Sequence, residues 1–169
     1  MGAETAPIVL IGAMGSGKTT VGTALAGALG REFLDSDRML EARTGLSGRE
    51  IADSEGIETL HRLELDVLRE ALGSVPAPVI AAAASVLDGP EGSSLLEGVY
   101  CVWLTAAAEV LAVRAAEGER RRVIGPGESL GHRAARYERA ADVVIDTSRL
   151  SPDESVDRVL AGMEERGLE

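Results

Sequence analysis

Aromatic side chains are nearly missing from this chain: its 169 residues include one Trp, two Tyr and one Phe. They are Trp103, Tyr100, Tyr137 and Phe33. A core of this composition has to be assembled from Ala, Val, Leu and Ile. The shortage also argues against a protein that stacks bases on aromatic platforms. There is one cysteine, Cys101, so no internal disulfide can form, which suits a reducing compartment. It lies in an apolar run and reads as a small core residue. No run of about 18 apolar residues is present, so no helical membrane span is expected. No basic residue precedes the first apolar run, so no secretory leader is expected. Positive charge is also scarce, with 17 Lys and Arg against 28 Asp and Glu and a net charge of −11. An acidic surface repels nucleic-acid backbones and anionic lipid. Neither nucleic acid nor membrane is therefore expected as a partner, and the setting is read as cytoplasmic.

The remainder is an ordinary globular composition, 45% hydrophobic and 27% charged. The length suits one domain with a real core, so residues 1–169 are read as a single domain and the chain as a monomer. Ile8-Val9-Leu10-Ile11 is a short β-branched run, the pattern of a strand buried on both faces. Residues 19–29 carry apolar side chains at helical spacing, and Gly30 follows as a helix-ending glycine would. Residues 32–34 predict a second strand, with Asp35-Ser36-Asp37 capping the next helix. Residues 51–72 predict one long helical stretch, with Leu60, Leu63, Val67, Leu68 and Leu72 in register. Further strands are predicted at 78–81, 99–104 and 143–145, and helices at 106–117, 132–140 and 152–166. The last has Pro152 in its first turn. Residues 118–131, rich in Arg and Gly, predict a loop. Strands alternating with helices mean a parallel sheet covered on both faces. The expected fold is a three-layer α/β/α structure with a five-stranded parallel sheet.

Between the first strand and the first helix lies Gly12-Ala13-Met14-Gly15-Ser16-Gly17-Lys18-Thr19. It matches the phosphate-binding loop pattern G-x-x-x-x-G-K-[ST] at every position. The glycines Gly12, Gly15 and Gly17 let successive backbone N–H groups curl around a phosphate, and the helix N-terminus adds partial positive charge. Ser16 and Thr20 flank that cradle. Lys18 is positioned to reach the β- and γ-phosphates, and the Thr19 hydroxyl to ligate Mg²⁺. A chance glycine-rich turn would not need a buried strand before it and a helix after it. ATP is the expected cofactor, with Mg²⁺. Base-reading motifs of the N-K-x-D type are absent, so by analogy with compact P-loop domains a small-molecule kinase is expected.

Asp35 and Asp37 follow the second strand, where open α/β sheets bind ligands. One carboxylate could support Mg²⁺, and the other could orient or deprotonate an acceptor hydroxyl. An N-cap Asp with a solvated neighbour is the plainer alternative.

With these residues in view, the chain resembles the shikimate kinase family. The resemblance is carried by G-A-M-G-S-G-K-T-T-V-G (12–22), L-A-x-A-L-G (25–30), F-L-D-S-D (33–37), E-A-R-T-G-L-S (41–47), E-I-A (50–52), Gly56, H-R-L-E (61–64) and A-D-V-V-I-D-T (141–147). It implies the P-loop kinase fold and transfer of the ATP γ-phosphate to the 3-hydroxyl of shikimate, a small carboxylated cyclohexene triol. It implies Asp37 at the acceptor hydroxyls, Asp35 supporting Mg²⁺, and a lid within 118–131 that carries a catalytic arginine. Arg122 matches that arginine, with Arg121 the neighbouring alternative and a solvated basic patch at 120–122 the bland one. Arg133 matches the arginine that holds the shikimate carboxylate, with Arg136 one turn away.

Departures from the family concentrate on the acceptor side. Ile57, Leu60 and His61 stand where the family has a glutamate, an aromatic residue and a carboxylate-forking arginine. His61 supplies no bidentate, permanently charged fork. Arg62 is adjacent, but a helical neighbour points about 100° away. Ala82-Ala83-Ala84 replaces a glycine triplet, so Ala83 is expected at the acceptor with a methyl that narrows the approach and disfavours positive φ. Losing a fork on a buried carboxylate costs about 2–5 kcal/mol. The residues therefore leave three expectations open: a shikimate kinase with an altered pocket, a kinase for a non-carboxylated polyol, or a non-catalytic ATP-binding protein.

Overall fold

The computed structural model describes residues 6–117 and 130–168. Five strands form one sheet in the order β2-β3-β1-β4-β5, and all four pairings are parallel. They are β1 (Ile8–Ile11), β2 (Phe33–Asp35), β3 (Val79–Ala81), β4 (Tyr100–Thr105) and β5 (Val143–Asp146). β1 is the central strand and is buried along its whole length, as its continuous apolar run predicts.

Alternation along β1 divides the core. Ile8 and Leu10 face one layer, where Val21 and Leu25 of α1 (Lys18–Leu29) meet Val156 and Val159 of α8 (Pro152–Glu165). Val9 and Ile11 face the other, with Leu68 of α4 (Ile57–Leu72) and Tyr137 of α7 (Leu130–Ala140). Cys101 is buried in this second layer, and burial pushes its thiol up to about 12, so it is inert packing. A third, smaller cluster joins Leu40 of α2 (Ser36–Thr44), Ile51 of α3 (Gly48–Glu55), and Leu60 and Val67 of α4. It lies outside the two sheet-facing cores and carries its own set of helices. Two further helices are α5 (Pro90–Leu95) and α6 (Ala108–Glu117).

Two expectations about helices are corrected. The stretch 51–72 is two helices: Gly56, at φ 91° and ψ 158°, breaks it between α3 and α4. α3 also starts earlier than expected, at a reciprocal cap in which Ser47 accepts from the Glu50 N–H and Glu50 accepts from the Ser47 N–H. Ser-x-x-Glu at 47–50 was the available signal for that start. α5 was not expected at all, because its Gly-Pro-Glu-Gly-Ser-Ser sequence carries no apolar periodicity. Among the described residues no helix is long and apolar enough to cross a membrane.

Candidate active site

The phosphate-binding loop is shaped by close approach. Gly12 has φ 148°, and a Cβ there would strike the Leu104 carbonyl of the neighbouring strand. Gly17, the N-cap of α1, has φ 100°. A side chain at either position would strain the loop. Lys18 folds back over it, its Nζ donating to the carbonyls of Gly12 at 2.7 Å and Ala13 at 3.1 Å. Burial pushes the Lys18 ammonium down to about 8, against the pull of the Asp37 and then the Asp35 carboxylate. Ser16 is buried, and its hydroxyl has no hydrogen-bond partner among the described residues. Thr20 is exposed on the first turn of α1.

A tie that the sequence did not suggest fastens the loop to the far side of the sheet. Thr147 Oγ1, just past β5, donates to the Ser16 carbonyl at 2.7 Å. Arg114 of α6 donates to the Gly15 carbonyl at 3.2 Å, to Thr147 Oγ1 at 3.0 Å and to the Thr147 carbonyl at 3.0 Å. An arginine on an amphipathic helix carries no local mark of such a role. Thr147 was visible only as the last residue of a matching segment.

Asp35 ends β2 and caps α2, accepting from the N–H groups of Asp37 at 3.0 Å and Arg38 at 3.4 Å. Its other oxygen accepts from the Thr19 hydroxyl at 3.1 Å. Thr19 and Asp35 thus present two hard oxygen donors side by side, which is the donor chemistry Mg²⁺ takes, with phosphate and water able to supply the rest. Among the described residues no cluster of three or more His, Cys, Asp or Glu offers a competing metal cage.

Asp37, half-buried, stands where the loop meets a cavity of about 390 Å³. That lies at the small end of the range for small-molecule sites. Its wall includes Asp37, Glu41, Arg49, His61, Glu64, Ala83 and Ala84. A second cavity of about 340 Å³ adjoins it and shares Ile57, His61, Glu64, Ala83 and Ser85. Glu64 accepts from the Ser85 hydroxyl. Burial pushes its carboxyl up to about 7, opposed by that hydrogen bond and reinforced by the charges of Asp37 and Asp88.

Placement of the expected acceptor residues is mixed. Asp37, His61 and Ala83 line the cavity. Arg62 does not, and is corrected: it is exposed on α4, one residue round the helix from the cavity wall. Arg133 is buried and forks onto Asp88, with Nε at 2.9 Å and Nη2 at 2.6 Å from its two oxygens. Arg136 adds its guanidinium at 3.6 Å from the same carboxylate. The arginine expected to hold a substrate carboxylate is therefore closed on an internal one. α7 is docked for this by Tyr137, whose ring packs 5.9 Å from that of Trp103 and whose hydroxyl donates to the Ala84 carbonyl. The concern over φ at Ala82-Ala83-Ala84 does not arise, since no non-glycine residue among those described has positive φ. The methyl groups narrow the pocket without straining the chain. Arg122, its alternative Arg121, and most of the expected lid lie outside the described residues.

A family model for shikimate kinase matches residues 14–164. A shikimate kinase from Symbiobacterium thermophilum is 37% identical over 169 residues, covering 95% of this chain and 97% of that one. Among solved structures, shikimate kinase from Acinetobacter baumannii in complex with shikimate has a TM-score of 0.84 at 30% identity, over 98% of this chain and 97% of that one. Shikimate kinase from Aquifex aeolicus has a TM-score of 0.80 at 27% identity, over 96% of this chain and 98% of that one.

Proposed function

The chain belongs to the shikimate kinase family, and from that premise we propose that it phosphorylates shikimate at the 3-hydroxyl with ATP as donor. It is an ATP-dependent phosphotransferase acting on an alcohol acceptor. The choice of shikimate rests on the family match, and the observation that supports transfer to an acceptor hydroxyl is the position of Asp37, within the electrostatic reach of Lys18 on one side and on the acceptor cavity on the other.

The chemistry then follows from named groups. Backbone N–H groups of the loop, that of Ser16 among them, take the β-phosphate. Lys18 leaves its two carbonyl partners for the phosphates, and the gain in negative charge raises its pKa again. Asp37 orients the acceptor hydroxyl and accepts its proton as the oxygen attacks the γ-phosphorus. The bond from that phosphorus to the β–γ bridging oxygen breaks, leaving ADP and a phosphate ester. A magnesium ion held through Thr19 and Asp35 would supply charge neutralisation on the triphosphate. Arg122, with Arg121 as the alternative, is proposed to bring a guanidinium to the transferring group, and His61 and Ala83 to shape the acceptor wall. One catalytic domain over 1–169, a monomer in solution and a cytoplasmic setting complete the reading.

ADP release measured with and without shikimate tests it. Shikimate-dependent release well above the water-driven background is expected. Release at background, with ATP bound normally, overturns the substrate assignment.

A further inference from the structure

The acceptor carries a carboxylate, yet the cavity that would take it is lined by Asp37, Glu41 and Glu64. A cation has to meet that carboxylate, because an unpaired charge moved from water into such a wall is repelled as well as desolvated. Among the described residues, the guanidinium groups considered so far are committed or misplaced. Position 61 is a histidine, Arg62 is exposed off the wall, Arg133 is forked onto Asp88, and Arg136 lines neither of the two acceptor cavities. Among the described residues lining the cavity, one guanidinium remains, that of Arg49.

Arg49 is the second residue of α3, and its neighbours Ser47 and Gly48 line the same wall. The start of a helix adds partial positive charge on that side. The ion-pair partner of Arg49 is Asp53, one turn on, at 3.5 Å. Both side chains are well exposed, at 49% and 71%, so the pair is weak and readily exchanged. A planar fork on a long stem is suited to a carboxylate.

We propose that Arg49 is the residue that receives the acceptor carboxylate, so that this chain holds its substrate from α3 instead of from position 61 on α4. The inference rests on the shikimate reading above. It fixes the orientation of the ring: carboxylate toward α3, reacting hydroxyl toward Asp37 and Lys18, and the uncharged face toward Ala83.

Steady-state kinetics on the full chain test it, with shikimate and with its uncharged analogue bearing a hydroxymethyl group in place of the carboxylate. Arg49→Met is expected to raise KM for shikimate about 10–30-fold, with KM for ATP moving less than threefold. KM for the uncharged analogue should change less than threefold. Arg49→Lys should recover part of the loss, keeping charge without the fork. Adding His61→Arg to Arg49→Met should restore shikimate affinity by returning a guanidinium from α4. An R49M variant whose KM for shikimate stays within twofold of the parent overturns the inference and leaves the proposed function standing. An equal rise for both acceptors also overturns it, since charge recognition would not be the cause. If the parent chain does not turn over shikimate at all, both readings fall together.

Discussion

The two halves of the site are built by different means. The phosphate half is made of backbone: glycines at positive φ, a helix N-terminus, and carbonyls gripped by Lys18, Thr147 and Arg114. The acceptor half is made of side chains on α2, α3 and α4, which pack on one another in a small cluster of their own. Backbone recognition leaves little to vary, since nearly every change at Gly12 or Gly17 strains the loop. Side-chain recognition can be moved from one helix to the next, provided charge still meets charge. That division fits the expectation from the sequence that departures from the family pattern fall at His61 and Ala83 and not in the loop.

The largest expected effect lies where the halves join. Asp37→Asn should lower kcat about 10²–10⁴-fold, the usual worth of a positioned general base, with a much smaller change in KM for ATP. Single-turnover assays at saturating ATP would measure it. A loss confined to KM would mean that Asp37 belongs to binding alone.

Next is the internal ion pair of the acceptor half. Asp88→Ala leaves Arg133 buried without its fork and should cost about 3–5 kcal/mol of stability. Urea denaturation followed by circular dichroism reads this directly. A loss below about 1 kcal/mol would show that Arg136 or solvent takes over, making the acceptor half more adaptable than its packing suggests.

Glu64 gives a pH signature. Its folded pKa of about 7 lies above the ordinary 4.5, so between those values the folded protein holds a proton that the unfolded chain has released. Stability should therefore fall as pH rises from about 4.5 to 7 and level off above, by at most about 3 kcal/mol from this group. Glu64→Gln should flatten that slope and be the more stable protein at pH 8. An unchanged slope would place the titration elsewhere.

The smallest effect belongs to the phosphate half. Thr147→Val removes the donor to the Ser16 carbonyl and the acceptor for Arg114. A cost of about 1–3 kcal/mol is expected, seen as weaker ATP binding by calorimetry with KM for shikimate little changed. If shikimate affinity fell in step, the two halves would be coupled and not separately built.

Much of this is legible in the sequence. Ile8-Val9-Leu10-Ile11 reads as a buried strand and is one, and Asp35 is the helix cap that Asp-Ser-Asp suggested. The join at Gly56 was less legible, because apolar residues on both sides keep helical spacing through a break that a single glycine at φ 91° makes. α5 was invisible for the opposite reason, being a short helix without an apolar stripe.

The sequence by itself determined the sheet, the loop and the chemistry of the donor, because strand burial, glycine freedom and helix capping act over a few neighbouring residues. Only the tertiary structure decided the acceptor side. Whether Arg133 meets a substrate or Asp88 depends on a pair 45 residues apart in the chain. Whether Arg49 faces water or the cavity depends on how α3 packs against α4. A charge acts over a few ångströms through space, and no local pattern in the chain records which partner the fold will bring within that distance.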